Sequence, residues 1–366
     1  MNTLKAKNVT EIQEIVQTHR AILPCAGGSK PALSKATNAE VCLDLSELSG
    51  IIEYDPGEYT FTAYAGTPVQ MVADELAKHA QYMPFEPISP QWGATLGGTV
   101  AANTSGSGRY RYGGVRDFIL GVHFVDGRGQ LVRSGGKVVK NSAGFDLSKF
   151  MVGSLGRYGI LVKLSFKVFP QPQRYATLMA TFGDIEAALQ AVLKLSSSPL
   201  EMDALDIDLN EKNDYMCLIR LGGLANALPG RLQRMQQFLR SKTSVIEMRI
   251  MQCKAEHALW QGLNHFTWAN HMPSLVKVPL APKQIPLLDG KLGAIPRRYT
   301  AGGNVAWIAA QNSRELAKTL HSLGLIGLHI VGEPDMPYLG QPKGVALAQR
   351  VKQALDPNDK FMALPS

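Results

Sequence analysis

Residues 93–106 have the sequence GATLGGTVAANTSG, which consists almost entirely of small residues. Such a run allows a flat aromatic ligand to lie against the main chain, with backbone amides reaching the heteroatoms of the ligand. Tight packing of a helix against a strand is the alternative explanation. The longer segment from Gly93 to Gly159 holds 16 of the 35 glycines, interleaved with strand-like apolar runs. This regular punctuation argues against flexible filler and for backbone that approaches something closely.

Two further glycine-rich segments add to this pattern. Residues 26–30, AGGSK, follow a short apolar run, and their backbone N–H groups could form a nest for an anionic pyrophosphate. Residues 153–161, GSLGRYGIL, lead into a strand whose first main-chain groups could pair with an adenine edge. An ordinary glycine turn beside a strand explains either segment equally well. The sequence contains no GxGxxG opening a βαβ unit and no P-loop, which disfavours a Rossmann site and a P-loop NTPase.

The length and composition indicate a folded protein of two domains. The chain has 366 residues, more than one hydrophobic core usually organises. Hydrophobic residues make up 45% of the chain and charged residues 19%, which excludes a disordered protein. No run approaches the roughly 18 apolar residues of a membrane span, and residues 1–10 lack the apolar core of a signal peptide. We therefore expect a cytoplasmic protein.

The charge and the cysteines narrow the classes of partner. The formal net charge of +8 and the pI near 9.2 are compatible with nucleic acid, an anionic membrane surface, an acidic subunit or anionic small molecules. The basic residues are scattered, which disfavours nucleic acid. Cys25, Cys42, Cys217 and Cys253 lie far apart and form no CxxC motif. We therefore expect reduced, mostly buried thiols and no metal site in this chain.

The predicted elements divide the chain into three parts. Residues 1–172 contain the glycine-rich segments, and Pro170-Gln171-Pro172 predicts the boundary that follows. Residues 173–335 show strands interleaved with helices, which is typical of a compact α+β domain. Residues 336–366 contain a predicted helix and are expected to pack back on the first part.

Three short sequence patterns within residues 1–172 each predict a particular helix or turn. The apolar spacing of residues 9–16 predicts an amphipathic helix. Asp55-Pro56-Gly57-Glu58 predicts the turn of a β-hairpin. Thr67-Pro68 predicts an N-cap followed by proline at the first helical position, opening a helix that ends near His79.

At this point the chain resembles a known family. Residues 87–125 and 140–169 are similar to the FAD-binding domain of the vanillyl-alcohol-oxidase (PCMH-type) flavoproteins. Residues 135–154, GGKVVKNSAGFDLSKFMVGS, resemble the FAD-binding subunits of glycolate oxidases within that family. The resemblance extends from about residue 20 to residue 172 and returns faintly at residues 355–361. It implies an α+β protein, with a two-part PCMH-type FAD-binding domain followed by a smaller mixed α/β cap domain.

The resemblance also implies a set of cofactor-binding residues. The FAD pyrophosphate would lie on Ala26, Gly27, Gly28, Ser29 and Lys30. The wall beside the flavin would come from Pro87, Gly97, Gly98, Thr99, Asn103 and Gly106. Adenine and ribose contacts would fall on Gly153, Ser154, Gly156, Gly159 and Ile160. Because no histidine lies in the glycine-rich segments, where some relatives tether the cofactor, we expect FAD to be bound non-covalently.

No general base can be assigned from the sequence. His321 and His329 are isolated, and His123 lies in an apolar strand as an expected hydrogen-bonded core residue. Arg297-Arg298-Tyr299 could bind a carboxylate, although an exposed basic turn is the simpler interpretation. A further group of side chains could cover a flavin or form a core patch or a subunit contact: Trp260, His265, Trp268 and His271. The catalytic residues therefore stay unknown.

The resemblance implies an FAD-dependent oxidoreductase acting on CH–OH groups in glyoxylate metabolism. We expect the FAD-binding subunit of a glycolate oxidase-type complex that oxidises 2-hydroxy acids, glycolate or D-lactate, to 2-oxo acids. The expected partners are a homologous FAD-containing catalytic subunit and an iron–sulfur subunit, which could hold the chain peripherally at the inner face of the membrane.

Two alternatives stay open. The first is a self-sufficient FAD-dependent alcohol or hydroxy-acid dehydrogenase or oxidase. The second is a non-catalytic scaffold subunit that has lost its flavin. Residues 361–365, FMALP, replace the Phe-Asn-Pro-Gly that is usual in related tails, which favours the scaffold. The intact small-residue run from Gly97 to Gly106 argues against it.

Overall fold

The computed structural model describes residues 2–33, 39–136, 145–209, 214–333 and 336–364. Within these residues the strands form four sheets, of three, two, five and nine strands. The first three sheets belong to an amino-terminal domain, and the nine-stranded sheet forms a second domain, here called the cap domain. This mixed architecture of helices and strands confirms the predicted fold class.

The amino-terminal domain consists of two lobes. The first lobe is a parallel three-stranded sheet in the order β1-β3-β2, and the second is an antiparallel five-stranded sheet in the order β4-β5-β9-β7-β8. Its strands are β1 (Asn2–Lys5), β2 (Ile22–Cys25), β3 (Val41–Asp44), β4 (Ile51–Asp55), β5 (Thr60–Tyr64), β6 (Gln81–Tyr82), β7 (Ile119–Val125), β8 (Leu131–Gly135), β9 (Ile160–Lys167) and β10 (Phe169–Pro170). Its helices are α1 (Val9–Thr18), α2 (Val69–Ala77), α3 (Leu96–Ala102), α4 (Arg109–Tyr112), α5 (Val115–Phe118) and α6 (Leu147–Phe150).

The cap domain is built on one antiparallel sheet in the order β14-β11-β13-β12-β16-β17-β15-β18-β19. Its strands are β11 (Arg174–Phe182), β12 (Ala204–Leu209), β13 (Tyr215–Gly223), β14 (Glu247–Gln252), β15 (Ser274–Pro279), β16 (Arg297–Thr300), β17 (Val305–Ala310), β18 (Ile326–Val331) and β19 (Tyr338–Gly340). The helices that follow α6 are α7 (Ile185–Ser196), α8 (Leu228–Lys242), α9 (Cys253–Asn264), α10 (Ile285–Leu292), α11 (Ser313–Ser322) and α12 (Val345–Leu355).

Local sequence explains where α1 and α3 begin and end. The Asn8 side chain accepts a hydrogen bond from the Glu11 N–H at the start of α1, whose buried residues Ile12 and Val16 are one helical turn apart. The Thr95 side chain caps α3 by accepting from the Gly98 N–H. Asn103 ends α3 in the left-handed conformation, with φ of 49°.

The two faces of the nine-stranded sheet differ in chemistry. One face packs against α7, α8, α10 and α11 in the largest apolar core of the described residues. The opposite face carries buried charged side chains, among them Arg220 and Lys277, and it meets the amino-terminal domain. Arg220 Nη1 donates to Glu86 Oε1 at 2.7 Å, and Lys277 Nζ donates to the Asn103 carbonyl. The interface between the domains therefore contains buried polar contacts, beside an apolar cluster in which Ile88 and Trp92 pack against cap residues such as Phe266.

Residues 336–364 are divided between both domains. β19 pairs with β18 at the edge of the cap sheet. After α12 the chain returns to the first lobe, where Phe361 joins the core formed with Ile12, Val16 and Ile22. The Ile22 N–H donates to the Lys360 carbonyl at 2.7 Å. Specific contacts thus hold residues 360 and 361 against the amino-terminal domain.

Two sequence predictions need correction. Thr67 does not cap α2, because its hydroxyl accepts from the Gly50 N–H at 2.9 Å and donates to the Gly50 carbonyl. The helix begins at Val69 without a side-chain cap.

Cys25 and Cys42 form a disulfide between the neighbouring strands β2 and β3, whereas the sequence predicted only reduced thiols. Of the described free thiols, Cys217 is buried and Cys253 is exposed.

Candidate functional site

A cleft that is partly open to solvent lies between the two lobes of the amino-terminal domain. All three glycine-rich segments contribute to it. Its walls are formed by Pro24, Cys25, Ala26, Gly27, Gly28, Ser29, Lys30, Leu33, Leu45, Ala65, Thr95, Gly97, Gly98, Ala101, Ala102, Leu155, Gly156, Gly159 and Leu161.

The structure brings part of the sequence-predicted cofactor set to this cleft. The residues that line it are Ala26, Gly27, Gly28, Ser29, Lys30, Gly97, Gly98, Gly156 and Gly159. The remaining predicted residues lie outside its lining, namely Pro87, Thr99, Asn103, Gly106, Gly153, Ser154 and Ile160. The lining therefore contains the predicted pyrophosphate residues, Gly97 and Gly98 of the predicted flavin wall, and part of the predicted adenine set. Direct contact of any of these residues with FAD stays a prediction.

Sequence reasoning missed the apolar part of the lining. Pro24 is close to a glycine-rich segment and Ala101 and Leu155 lie inside two others, so their positions in the sequence could have identified them. Leu45 and Ala65 come from segments that no motif marked, and only the tertiary structure places them at the cleft.

Glycine is required where the segments approach one another. A Cβ atom at Gly27 would lie 1.7 Å from the Gly93 carbonyl oxygen, so the first and second segments touch through bare backbone. Gly156 has φ of +74°, and a Cβ there would lie 2.9 Å from Pro24 Cγ. These contacts explain why glycines from distant segments converge on one cleft.

The loop of residues 26–30 provides the donors for an anion. The N–H groups of Gly27, Gly28 and Ser29 make no hydrogen bond to any other described residue. The first amides of α3 are different, because those of Gly97 and Gly98 already donate to the Ala65 carbonyl and to Thr95 Oγ1. An anionic group in the cleft would therefore be held by this loop rather than by the start of α3.

Lys30 places a cation at the same loop. Its Nζ atom donates to Ser29 Oγ at 3.1 Å, and a Cβ atom at Gly98 would lie 3.8 Å from this nitrogen. Burial lowers the pKa of Lys30 to about 8, because an ammonium group loses hydration inside the protein. A phosphate bound beside Lys30 would favour its charged form and raise this pKa.

Buried hydroxyl groups without partners surround the end of α3. Thr99 Oγ1, Thr104 Oγ1 and Ser154 Oγ are buried and have no hydrogen-bond partner among the described residues. An unpaired buried hydroxyl is costly, at about 1–3 kcal/mol. These hydroxyls lie outside the lining of the cleft, whereas its glycine cradle and open amides fit a large polar cofactor such as FAD.

The cap domain covers the predicted flavin wall. Lys277 Nζ donates to the Asn103 carbonyl, and a Cβ atom at Gly106 would lie 2.9 Å from Asn264 Oδ1. Burial, and to a smaller extent the charge of Arg109, lowers the pKa of Lys277 to about 7. Lys277 is thus a cap residue at the end of the helix that lines the cleft.

The arginines singled out in the sequence are structural. Arg297 and Arg298 are buried in β16, so they do not form the exposed basic turn that the sequence favoured. Arg297 Nε donates to Asp289 Oδ1 at 2.6 Å. Arg298 Nη2 donates to Asp206 Oδ2 at 3.1 Å. Their partners are carboxylates of this chain.

The proposed aromatic and histidine cluster is not one site. Trp260 is buried and donates from Nε1 to Thr177 Oγ1 at 2.8 Å, as a core residue. His265 and Trp268 are half-buried, and His271 is exposed. Burial lowers the pKa of His265. These side chains do not line the cleft.

The other histidines also lie away from the cleft. His329 is fully buried, with Nε2 2.6 Å from Ser274 Oγ. The His123 side chain is half-buried and makes no hydrogen bond to a described residue, so its prediction as a hydrogen-bonded core side chain is wrong. Burial is the main cause that lowers the pKa of His123, followed by the charges of Lys163 and Arg133. No described histidine or carboxylate lines the cleft, and the described part of the chain forms no cluster of metal ligands.

Comparisons with known proteins agree with this geometry. Residues 3–135 match the family model described as FAD binding domain. Glycolate oxidase subunit GlcE of Escherichia coli K12 is 34% identical over 197 residues, which are 53% of this chain and 55% of the relative. Glycolate oxidase subunit GlcD of Bacillus subtilis 168 is 29% identical over 203 residues, 54% of this chain and 43% of the relative. The chain thus spans about half the length of the curated relatives it matches.

The fold is shared with a larger protein of known structure. A structure of alkyldihydroxyacetonephosphate synthase aligns with a TM-score of 0.71 at 15% identity, covering 98% of this chain and 75% of the other. Among the described helices, none is long and apolar enough to cross a membrane. Residues 3–135, which supply most of the lining of the cleft, are thus similar to the FAD binding domain family.

Proposed function

We propose that this chain is the FAD-binding subunit of a glycolate oxidase-type complex that oxidises 2-hydroxy acids, such as glycolate or D-lactate, to 2-oxo acids. The observation that carries the proposal is the single cleft that unites three glycine-rich segments. Residues 3–135, which supply most of the cleft, match the FAD binding domain model, and about half of the chain is similar to glycolate oxidase subunits GlcE and GlcD. The proposal includes an iron–sulfur partner that receives the electrons.

The residues of the cleft have separate roles in this proposal. The loop of residues 26–30 holds the pyrophosphate through its open amides and the Lys30 ammonium group. Gly156, Gly159 and Leu161 accommodate the adenine end. FAD is held non-covalently, and when bound it supplies two-electron oxidation of a C–H bond.

We propose that the proton chemistry at the substrate belongs to a homologous FAD-containing catalytic subunit. A hydroxy-acid dehydrogenase needs a base close to the substrate hydroxyl. The described histidines lie away from the cleft, and the buried arginines are already paired with Asp289 and Asp206. This chain then relays electrons, and its place at the cytoplasmic face of a membrane depends on its partners.

The deciding experiment is the visible absorption spectrum of the purified chain, before and after acid precipitation. Flavin bands released into the supernatant are expected and would establish non-covalent FAD. Glycolate and D-lactate are then added under nitrogen, with and without the homologous catalytic subunit. We expect bleaching only when that subunit is present.

Other outcomes select the alternatives. Bleaching of the isolated chain would make it a self-sufficient dehydrogenase. A colourless protein that does not take up added FAD would leave the scaffold interpretation and would contradict the proposal.

A further inference from the structure

β14 is an open edge of the nine-stranded sheet. It pairs with β11 on one side, and no described strand pairs with its other side. All six residues of β14 are at least partly exposed. Its pairing with β11 runs in register from Glu247 to Gln252 without a bulge. The strand therefore presents a regular row of backbone donors and acceptors to its surroundings.

This edge has little of the usual protection. Open edges are commonly blocked by charged side chains, above all lysine, by proline, by bulges or by very short strands. β14, with the sequence EMRIMQ, carries the charged residues Glu247 and Arg249 but has six residues and no lysine, proline or bulge. The opposite edge of the same sheet is different, because β19 has only three residues and ends in Gly340. The contrast indicates that the β14 edge is kept open for pairing.

The sequence around β14 is complementary to itself. In an antiparallel pair of two β14 strands centred on Met248, residue numbers of opposite residues add up to 496. Glu247 of one copy then lies opposite Arg249 of the other, which joins opposite charges. Within one chain these two exposed side chains already form an ion pair, Arg249 Nε to Glu247 Oε1 at 2.7 Å.

The same register pairs the exposed apolar residues. Ile246 is 67% exposed and Ile250 is 43% exposed, although both are large and apolar. With Met248 at the centre, Ile246 of one copy lies opposite Ile250 of the other. Because side chains alternate along a strand, Ile246, Met248 and Ile250 share one face of the sheet. The pairing would thus form a continuous apolar stripe on one face and a charge pair on the other.

We propose that β14 pairs with β14 of a second copy of this chain, antiparallel and centred on Met248, so that two nine-stranded sheets join into one. The arrangement has two-fold symmetry, in which the same surface serves both partners. A shift of the register by two residues would place Glu247 opposite Glu247 or Arg249 opposite Arg249, which is unfavourable. The charge pattern therefore selects one register.

A crosslinking experiment tests this register. Two variants of the full chain, Glu247→Cys and Arg249→Cys, are prepared with Cys253→Ser to remove the exposed thiol. Under mild oxidation we expect a disulfide-linked dimer when the two variants are mixed. Either variant alone should stay uncrosslinked, because its cysteines lie opposite the wrong residue of the second copy. Failure of the mixture to crosslink would overturn the proposal.

Sedimentation of the full chain as purified provides the second test. We expect a dimer at micromolar concentration, and Ile250→Lys should raise its dissociation constant by at least about tenfold. Leu287→Lys is the matched control, because Leu287 is 61% exposed on α10, outside the pairing. FAD content and thermal unfolding of both variants show that they are folded. A wild-type monomer, or equal effects of the two substitutions, would contradict the proposal.

Discussion

Lys277 is a buried amine whose charge is not neutralised within the described part of the chain. No carboxylate lies within ion-pair distance of it, and its Nζ atom donates to the Asn103 carbonyl. Its pKa falls from 10.5 to about 7, while in the unfolded chain it keeps its ordinary value. At and below pH 7 this shift costs of the order of 4–5 kcal/mol, and the cost disappears as the pH rises towards 10.5.

We therefore predict that Lys277→Met stabilises the protein at low pH. After the loss of the hydrogen bond to Asn103, the net gain in the free energy of unfolding should be about 1–3 kcal/mol at pH 6. The gain should shrink between pH 7 and pH 10, because the folded wild-type amine is then neutral. Urea unfolding of both proteins across this pH range checks the prediction. A gain that does not change with pH would show that burial of the charge is not its cause.

Gly98 provides the residue-scale test of the cleft. A Cβ atom there would meet Thr95 Oγ1 at 3.3 Å and no backbone atom, so a larger side chain fits the fold while it fills the cleft. We predict that Gly98→Val weakens FAD binding by at least about tenfold, or ~1.4 kcal/mol. Released flavin per protein is the measurement.

The control for this prediction is Gly290→Val. Gly290 is also a helical glycine, but it is exposed on α10 and has no atom near its would-be Cβ. Full flavin content in a folded Gly98→Val protein would remove this residue from the site.

Glycines were the part of the site that could be predicted from sequence. Gly27 and Gly97 belong to runs whose composition already indicates close backbone approach. Leu45 and Lys277 could not be found, because a leucine after a strand and a lysine in a strand have many possible environments. Only the packing of distant elements decides which environment they take.

At the scale of elements, the disulfide between β2 and β3 is the main addition to the sequence prediction. It joins Cys25, which lines the cleft, to Cys42 across a separation of 17 residues. Closing a loop of this length removes freedom mainly from the unfolded chain and stabilises by about 2–4 kcal/mol. The bond therefore restrains the strand that leads into the loop of residues 26–30.

We predict that the double substitution Cys25→Ser/Cys42→Ser lowers the free energy of unfolding by about 2–4 kcal/mol. Denaturant unfolding with and without dithiothreitol measures this effect. The reductant should destabilise the wild type to the level of the variant and leave the variant unchanged. Equal stability of the wild type with and without dithiothreitol would contradict the presence of the Cys25–Cys42 disulfide.

Short sequence patterns predicted turns and helix ends correctly where the stabilising hydrogen bonds join residues that are close in sequence. The hairpin turn at Asp55 is such a case, since its carboxylate accepts from the N–H groups of Gly57 and Glu58. Thr67 shows the limit of this reasoning. Its hydroxyl binds Gly50, 17 residues away, so a tertiary contact outcompetes the predicted helix cap.

At the scale of the whole molecule, Arg220 connects the two domains. It donates to Glu86 of the amino-terminal domain at 2.7 Å and to Glu256 of the cap domain at 2.8 Å. Its side chain is 9% exposed, and that of Glu256 is 4% exposed. Removal of the shared cation would leave two carboxylates at a buried interface.

We predict that Arg220→Met lowers the free energy of unfolding by about 3–5 kcal/mol. Arg234→Met is the control, because Arg234 is exposed on α8 and forms no ion pair with a described residue. Urea unfolding of both variants is the measurement. A similar loss in both would show that the link between the domains contributes little.

The arrangement of the cap sheet could not be derived from the sequence. Its strand order places β16 beside β12, although more than 80 residues separate them. Arg297 and Arg298 therefore looked like an exposed turn, while their buried carboxylate partners come from α10 and β12. Long-range pairing of this kind leaves no local signal.

The return of the tail to the first lobe has a consequence for biosynthesis. Ile22 and Val16 are made early, but Phe361 completes their core and the Lys360 carbonyl accepts the Ile22 N–H. During translation, the lobe that is synthesised first is therefore completed only after residues 360 and 361 have been made. Until then, the Ile22 N–H lacks its acceptor and the core lacks Phe361, so loading of the nucleotide is expected to follow the synthesis of this segment.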